Sequence, residues 1–360
     1  MAGFDSLKWL SRFIDETPGD SQVGGTSRQV PNACWSLVNP TTSPNPELKL
    51  WSEEMGKTLG LNKPDGLILG GNEIVKGMKP YSQRYGGHQF GNWAHQLGDG
   101  RAITLGEVKL PKEVLELQLK GSGATPYSRF SDGKAVLRSS IREFLCSEAM
   151  FHLGVPTTRA LSLVTTGEMV VRDMLYDGNP APEIGAIVCR VAPSFIRFGS
   201  FQIHTADGNF ETLEKLLQHT VKNHFPEHNI DSDDGRVAWL NHVAEQTAVM
   251  ISHWMRVGFV HGVMNTDNMS IHGITIDYGP YGWLENYDPN WTPNTTDASR
   301  RRYRYGHQPQ IGAWNIARLA ESIAPLMNDV ELLYKVLEHY DTKYVESQNL
   351  MWSNKLGIDD

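Results

Sequence analysis

Asn268 and Asp277 carry oxygen ligands and stand nine residues apart in the segment NMSIHGITID. Amide and carboxylate oxygens are hard ligands, which suit Mg²⁺ or Mn²⁺ bridging the phosphates of a nucleotide. A short β-hairpin over Met269–Ile276 would bring both side chains to one side of a cleft. The alternative is an Asx turn at residues 266–268 and an ordinary turn after Asp277. The spacing favours the metal site.

The residues around this pair complete a longer pattern. His261 stands seven residues before Asn268, and Tyr278 and Gly279 follow Asp277 directly. Protein-kinase-like phosphotransferases use H-x-D-x-x-x-x-N and then D-[FYW]-G to hold metal and nucleotide. Val263 occupies the position of the proton-accepting aspartate in that pattern. The sequence therefore predicts a nucleotide-handling enzyme that does not simply move a γ-phosphoryl group.

Asp267 is the natural replacement for the missing base. It lies four residues after Val263, in the same loop, and directly precedes Asn268. A carboxylate beside a dication keeps a low pKa. We therefore expect Asp267 to orient a hydroxyl, or to accept its proton late, rather than to act as a strong base.

Lys120 ends the alternating apolar segment Val114–Lys120, which predicts a strand. A lysine at such a strand end can neutralise nucleotide phosphate oxygens when a helical glutamate orients it. Glu143 and Glu148 stand about 140° apart on the following helix, so only one can face the lysine. We prefer Glu143, which apolar residues flank. The alternative for Glu143 is a capping box with Ser140.

Glycines and arginines supply further candidates for phosphate contacts. Residues 67–106 are rich in glycine, and Gly98, Gly100 and Arg101 lead into a predicted strand. Glycine permits positive φ and a close approach of the backbone, so this segment forms either tight turns or a ligand cradle. Arg190 and Arg197 can each bind phosphate oxygens in pairs. Arg190 follows an apolar strand at 184–191, so we expect it to be half-buried with phosphate as its partner.

The pattern along the chain predicts an α+β fold in two lobes, of the protein-kinase-like (pseudokinase) kind, with an N-terminal extension. Residues 1–66 form the extension, with a helix around Leu48–Leu59. Residues 67–165 form an N-lobe-like nucleotide-binding region, and 166–360 a C-lobe-like catalytic region. We expect a hairpin at Leu161–Val171, a buried strand at Ile184–Val191, and helical patterns over 213–257 and 311–326.

Composition excludes several classes of function. The chain has 360 residues and a net charge of −8, so bulk electrostatics predict neither a nucleic-acid nor a membrane partner. A basic run at 300–304 is a local exception that fits a solvated face or a phosphate contact. Cys34, Cys146 and Cys189 lie far apart with no C-x-x-C pair, which argues against a disulfide scaffold or a structural zinc site. The N-terminus lacks a signal-peptide pattern, so the expected location is cytoplasmic.

Four long stretches resemble the selenoprotein O family almost word for word. They are YSQRYGGHQFGNWAHQLGDGRA, LQLKGSGATPYSRFSDGKAVLRSSIREFLCSEAM, HGVMNTDNM and IDYGPYGW. The similarity runs from about residue 30 to the end of the chain. It implies a pseudokinase that binds ATP in a flipped orientation and transfers AMP to Ser, Thr or Tyr hydroxyls of proteins.

The resemblance also assigns roles to residues of this chain. The residues that match nucleotide-contacting positions are Gly98, Gly100, Arg101, Lys120, Asp132, Gly133, Arg190 and Arg197. Asp267 would accept the proton. Asn268 and Asp277 would hold Mg²⁺ (or Mn²⁺), and Glu143 would form the supporting ion pair with Lys120. The implied partners are ATP and hydroxyl-bearing proteins, with the chain itself as an open alternative.

Members of that family commonly extend further at the C-terminus, so the resemblance raises a truncated or naturally short form as an open question. Two other functions stay open on the residues alone. One is a small-molecule or protein phosphotransferase, against which Val263 counts. The other is a non-catalytic pseudokinase that only binds nucleotide, against which Lys120, Asn268 and Asp277 count.

Overall fold

The computed structural model describes residues 3–174 and 177–358. Two compact units make up these residues. The first comprises 3–84, 96–149, 158–174 and 177–195, and the second comprises 85–95, 150–157 and 196–358. Each unit supplies one part of the predicted chemistry.

The first unit is built on a sheet that counts nine strands within the described residues. Its strands are β1 (Trp9–Leu10), β2 (Trp35–Leu37), β3 (Glu47–Trp51), β4 (Tyr81–Gln83), β7 (Ala102–Lys109), β8 (Val114–Lys120), β9 (Ala135–Val136), β10 (Arg159–Arg172) and β11 (Ala181–Ala192). The main order is β2-β4-β7-β8-β11-β10-β3, with β1 on β7 and β9 on β11. All of these pairs are antiparallel.

Three helices accompany this sheet. They are α1 (Arg12–Glu16), α2 (Glu53–Leu59) and α3 (Leu137–His152), the last belonging to the first unit up to Ala149. Ser52 caps α2 by accepting a hydrogen bond from the Met55 amide, and Gly60 ends the helix in the left-handed conformation. Met55 and Leu59 of α2 belong to one apolar cluster of this unit, and Phe144 of α3 belongs to another.

The alternation of side chains along the strands sorts the sheet into an apolar face and a functional face. Leu117 and Leu119 of β8 belong to a large core cluster with Ile187 and Cys189 of β11. The intervening residues of β8 are Glu116, Gln118 and Lys120, all buried. Gln118 pairs with Arg190 across β8 and β11, and Glu116 and Lys120 lie two residues from Gln118 on either side, so these polar side chains share one face.

The second unit is mainly helical. Its helices are α4 (Phe198–Ala206), α5 (Phe210–His224), α6 (Asp233–Val257), α7 (Gln308–Ile323) and α8 (Tyr334–Leu356). Two short two-stranded sheets join β5 (His88–Gln89) to β6 (Asn92–Trp93), and β12 (Phe259–Val260) to β13 (Gly282–Trp283). α6 packs against α7 and α8, and its residues Val243, Ile251 and Trp254 are fully buried.

The α+β class predicted from the sequence is confirmed by these elements, and β8 has the predicted bounds. Two local predictions are wrong. Glu47–Trp51 is a strand paired with β10, so the helix predicted from Leu48 begins only at Glu53. The predicted hairpin at Leu161–Val171 is instead part of one strand, β10, with a register shift between Thr165 and Met169.

The boundaries of the two compact units differ from the domain boundaries predicted from the sequence. β10 and β11 pair with each other over their length, from Arg159↔Val191 to Arg172↔Ala181, and therefore lie in one unit. Residues of the predicted extension form β2 and β3 of the same sheet.

The three cysteines are buried. Burial raises the pKa of the Cys34 and Cys189 thiols to about 12, which disfavours the reactive thiolate. Among the helices of the described residues, none combines the length and the apolar character needed to cross a membrane.

Candidate functional site

Lys120 and Glu143 form an ion pair within the first unit. The Nζ of Lys120 lies 2.6 Å from the Oε2 of Glu143, and both side chains are nearly buried. α3 begins at Leu137, so Glu143 lies in its second turn and Ser140 is already inside the helix. The capping-box alternative for Glu143 therefore does not apply. A strand lysine held by a helical glutamate is the arrangement that orients the lysine towards nucleotide phosphates in protein kinases.

Arg190 contacts the same carboxylate. Its Nη1 lies 3.0 Å from the Oε1 of Glu143, and its Nη2 donates to the side-chain oxygen of Gln118. The guanidinium also lies 4.9 Å from the centre of the Phe195 ring. Only 2% of the Arg190 side chain is exposed. Arg190 is therefore fully buried rather than half-buried, and it holds Glu143, while its contact with phosphate stays a prediction.

Glu148, the other candidate partner of Lys120, serves a different residue. Its carboxylate accepts two hydrogen bonds from Arg159, both at 2.8 Å. It also accepts one from the Ala160 amide at 2.9 Å and one from the Ser52 hydroxyl at 3.0 Å. The choice between the two glutamates is thus decided by what each one contacts.

The predicted nucleotide-contacting glycines lie in turns packed against protein. Gly98 has φ +80°, and a Cβ there would come within 2.4 Å of the Tyr127 ring. A Cβ at Gly100 would lie 2.8 Å from the Tyr127 carbonyl oxygen, and one at Gly133 would lie 2.2 Å from the Gly123 backbone. Protein packing alone therefore requires glycine at these positions.

The charged residues of these turns differ in their surroundings. The Asp132 carboxylate forms an ion pair with Arg172, with Oδ1 and Nη2 2.7 Å apart. Burial opposes ionisation of Asp132, but hydrogen bonds from Arg172 and the Lys134 amide outweigh it, so its pKa is lowered. Arg101 directly precedes β7 and is exposed.

The predicted metal-ligating loop lies in the second unit. His261 stacks on Trp254, and its Nε2 lies 2.9 Å from the Ile276 carbonyl oxygen. The Val263 carbonyl oxygen accepts a hydrogen bond from the side-chain nitrogen Nδ2 of Asn268 at 2.9 Å. This contact orients Asn268 and leaves its side-chain oxygen as the atom that would bind a metal. His261 and Val263 thus shape the loop.

Asp277 follows a Met269↔Thr275 bridge, which is the short hairpin expected between the two metal-ligand candidates. It has φ +57°, a left-handed conformation that is uncommon for residues other than glycine and is found often at functional sites. Its carboxylate contacts Arg197, whose Nη1 also donates to the Asp267 carbonyl oxygen at 2.8 Å. Arg197 therefore has protein partners on both sides of the loop.

Asp267 lies in the short 3₁₀ helix Thr266–Asn268 and is buried. Its Oδ2 accepts a hydrogen bond from the side-chain nitrogen Nε2 of Gln89 at 3.1 Å. Its Oδ1 is buried without a hydrogen-bond partner among the described residues. A buried carboxylate oxygen without a partner calls for an explanation, such as a catalytic role or a bound ion or water.

Burial raises the pKa of Asp267 to about 6, and the charge of Asp277 adds to the rise, against the hydrogen bond from Gln89 and the charge of Arg197. The low pKa expected from the sequence assumed a dication beside the carboxylate. The protein alone sets a higher value because it desolvates the group. A carboxyl poised near neutrality suits a proton acceptor.

Sequence reasoning missed the segment that faces Asp267. Gln89 belongs to GGHQFG, where the Gly86 amide donates to the Gly199 carbonyl oxygen at 3.0 Å. The backbone amide of His88 donates to the Thr266 hydroxyl at 2.7 Å. A Cβ at Gly87 would lie 2.5 Å from the Asp267 Oδ1. The density of glycine at 86–91 was the available signal for this close approach.

The donor set fits a hard divalent cation. Asp277 offers carboxylate oxygens and Asn268 offers an amide oxygen, which are ligands that Mg²⁺ and Mn²⁺ take. The hydrogen bond from the Asn268 side-chain nitrogen to the Val263 carbonyl oxygen is the structural observation that supports this fit, because it leaves the Asn268 side-chain oxygen for a metal.

Residues 24–360 match the family described as protein adenylyltransferase SelO. The chain is 57% identical over 359 residues to the protein nucleotidyltransferase YdiU of Azoarcus sp. (strain BH72). It is 54% identical over 359 residues to the protein of the same name from Flavobacterium johnsoniae (strain UW101). Each alignment covers 98% of this chain and 69% of the relative.

Among solved structures, ROP2 from Toxoplasma gondii is described as a virulence factor with a protein-kinase fold and no enzymatic activity. It matches at 13% identity with a TM-score of 0.34, covering 77% of this chain and 86% of that one.

Proposed function

Because the chain belongs to the family described as protein adenylyltransferase SelO, we propose that it transfers AMP from ATP to hydroxyl groups of proteins. The acceptors are Ser, Thr or Tyr side chains of other proteins, and the metal is Mg²⁺ or Mn²⁺. The observation that carries this proposal is the buried carboxylate of Asp267, with one oxygen unsatisfied, in a loop where Val263 occupies the usual base position.

The proposed reaction is an in-line displacement at the α-phosphorus. The hydroxyl oxygen of the acceptor forms a bond to that phosphorus while its proton passes to Asp267. The bond between the α-phosphorus and the bridging oxygen breaks, and pyrophosphate leaves with its electron pair. A metal bound by Asn268 and Asp277 would neutralise the developing charge on the phosphates.

The groups of the first unit would bind the nucleotide. Lys120, oriented by Glu143, supplies the cation for phosphate oxygens. ATP bound in the flipped orientation exposes the α-phosphate and buries the γ-phosphate. The atom under attack then differs from that in a kinase, which accounts for a proton acceptor at Asp267 instead of position 263. The family resemblance assigns the buried phosphates to Arg190 and Arg197. Each of these arginines also holds a carboxylate, of Glu143 and Asp277 respectively, and we propose that this positioning is part of its role.

A labelling experiment tests the proposal. The chain is incubated with Mg²⁺ or Mn²⁺ and ATP labelled at the α- or the γ-phosphate, and protein products are identified by mass. Incorporation of the α-label with a mass gain of AMP is expected. Transfer of the γ-label would instead indicate a phosphotransferase, and absence of both labels a nucleotide-binding module.

Two variants separate chemistry from binding. Asp267→Asn and Asp267→Ala are expected to lower the rate of AMP transfer about 10²–10⁴-fold, the usual effect of losing a proton acceptor, while nucleotide affinity, measured by calorimetry, stays within about threefold. Asp234→Asn changes an exposed aspartate of α6 and serves as the matched control with full activity. Full activity in Asp267→Ala would refute the role of Asp267.

A further inference from the structure

Glu227, His228 and His242 form a compact cluster in the second unit that takes no part in the proposed reaction. Glu227 and His228 lie in the connection between α5 and α6, and His242 lies in α6. Each residue offers one ligand atom, and the three atoms lie within 4.8 Å of one another. Two imidazoles and one carboxylate are the ligand set of an open His₂Glu metal site.

The distances within the cluster match the edges of a coordination shell. The Nε2 of His228 lies 3.0 Å from the Nδ1 of His242. The Oε1 of Glu227 lies 3.3 Å from that Nδ1 and 3.8 Å from the Nε2. Ligands at the usual zinc bond lengths of about 2.0–2.1 Å stand roughly 3.3 Å apart in a tetrahedral shell. We propose that Glu227, His228 and His242 bind one divalent transition-metal ion of the zinc class.

The fold holds the two imidazoles in place. The connection is short and anchored at both ends, since α5 ends at His224 and Ser232 caps α6 by accepting from the Gly235 amide. The His228 amide donates to the Phe225 carbonyl oxygen at 3.0 Å. The ring of Phe225 packs edge-on against His242 at 5.2 Å, and the two histidine rings are themselves 5.2 Å apart.

The ligand types of the cluster suit a metal. Neutral imidazole is the form that binds a metal. The Glu227 side chain is 53% exposed, so it can adjust to the ion while solvent fills the remaining position. Imidazole ligands favour Zn²⁺, Ni²⁺ or Co²⁺ over Mg²⁺, which separates this cluster from the oxygen ligands near Asn268.

A bound ion would join the α5–α6 connection to the body of α6. Because the unfolded chain does not hold the three ligands together, binding stabilises the folded state. A bound ion would therefore stabilise the folded chain without taking part in AMP transfer.

Cobalt titration tests the site directly. Tag-free protein is stripped with a chelator and titrated with Co²⁺ in millimolar Mg²⁺, which occupies the oxygen ligands. One equivalent of Co²⁺ is expected to give the visible absorption of a four- or five-coordinate ion, and one equivalent of Zn²⁺ to remove it. His242→Ala is expected to lose the absorption, and Glu227→Gln to lower Co²⁺ affinity at least about tenfold.

A thermal scan supplies the second readout. Zn²⁺ is expected to raise the Tm of the wild-type chain but not that of His242→Ala. His339→Ala is the matched control, because His339 lies 3.5 Å from the Glu245 carboxylate in another histidine–glutamate pair of the same unit. Absorption that is absent in the wild type, or retained in both His242→Ala and Glu227→Gln, would overturn the proposal. Glu227→Gln decides the matter if His242→Ala does not fold, since Glu227 is exposed.

Discussion

The guanidinium of Arg197 contacts the carboxylate of Asp277, although eighty residues separate them along the chain. Its Nη1 also donates to the Asp267 carbonyl oxygen at 2.8 Å, and the guanidinium carbon lies 4.6 Å from the centre of the Tyr85 ring. Only 1% of the Arg197 side chain is exposed. One buried cation thus fixes both the loop of the proposed proton acceptor and a proposed metal ligand.

Replacing Arg197 is expected to cost both stability and activity. Arg197→Ala removes the guanidinium that contacts the Asp277 carboxylate, and breaking a buried ion pair in this way costs about 3–5 kcal/mol. AMP transfer should fall below detection. Arg197→Lys keeps the charge but not the planar fork, so its stability and activity should lie between those of alanine and the wild type. Urea unfolding and α-label incorporation measure the two effects; an unchanged free energy of unfolding in Arg197→Ala would contradict this account.

Gly87→Ala should impair chemistry through Asp267. Gly87 does not adopt a positive φ, but a Cβ there would lie 2.5 Å from the Asp267 Oδ1, so the carboxylate must move. A displacement of about 1 Å can cost about a hundredfold in rate. The rate of AMP transfer should therefore fall at least about tenfold, while nucleotide affinity stays near the wild-type value.

A double-mutant cycle checks the cause of that loss. If Gly87→Ala acts by moving the Asp267 carboxylate, then it has nothing further to remove once Asp267→Ala is in place. The residual rate of the double variant should equal that of Asp267→Ala alone. Additive losses would show that Gly87 acts on another part of the protein.

The elements that depend on local pattern were predictable from the sequence. β8 has the predicted bounds because its residues alternate between an apolar core and a polar face. The placement of Glu143 opposite Lys120 follows from the order strand, turn and helix. Family membership was predictable for a different reason, since long stretches of identical residues carry it.

The elements that depend on distant partners were not predictable. Glu47–Trp51 has an apolar pattern that suits a short helix or a strand, and its hydrogen bonds to β10 decide the matter. Gly167, at φ +80°, gives the signal of a hairpin turn but lies at an irregularity of β10. Gln89 lies 178 residues from Asp267 along the chain, and nothing in its local sequence indicates that contact.

Gly98→Ala should destabilise the first unit more than the matched substitution Gly178→Ala does. Gly98 has φ +80°, and an added Cβ would meet the Tyr127 ring at 2.4 Å. Gly178 has a similar φ of +85°, with open space around the Cβ position. Gly178→Ala should therefore cost only the backbone strain, about 1–2 kcal/mol, and Gly98→Ala about 1–3 kcal/mol more.

Urea unfolding of the two glycine variants measures this difference. Equal losses would show that Tyr127 moves aside without cost. In that case the glycine at position 98 would be required by a ligand rather than by packing, which nucleotide affinity of Gly98→Ala would then reveal.

Glu148 should give the protein a component of stability that disappears in acid. Burial opposes ionisation of its carboxylate, but hydrogen bonds from Arg159, the Ala160 amide and Ser52 outweigh it, so the pKa of Glu148 lies below its ordinary value of 4.5. Between the unfolded and the folded pKa the unfolded chain binds more protons, so stability rises with pH. This contribution is complete above about pH 4.5 and is lost as pH falls through the folded pKa.

Glu148→Gln is therefore expected to unfold more readily at pH 7, by about 1–3 kcal/mol, because the hydrogen bonds from Arg159 no longer reach an ionised carboxylate at this position. The difference from the wild type should shrink progressively below about pH 4.5, as measured by urea unfolding across the acid range. Glu54→Gln is the matched control, since Glu54 lies 3.8 Å from the same arginine but is 52% exposed, so its loss should cost less than about 1 kcal/mol. A difference between Glu148→Gln and the wild type that stays constant down to the folded pKa would mean that packing, rather than the ionised carboxylate, stabilises this part of the first unit.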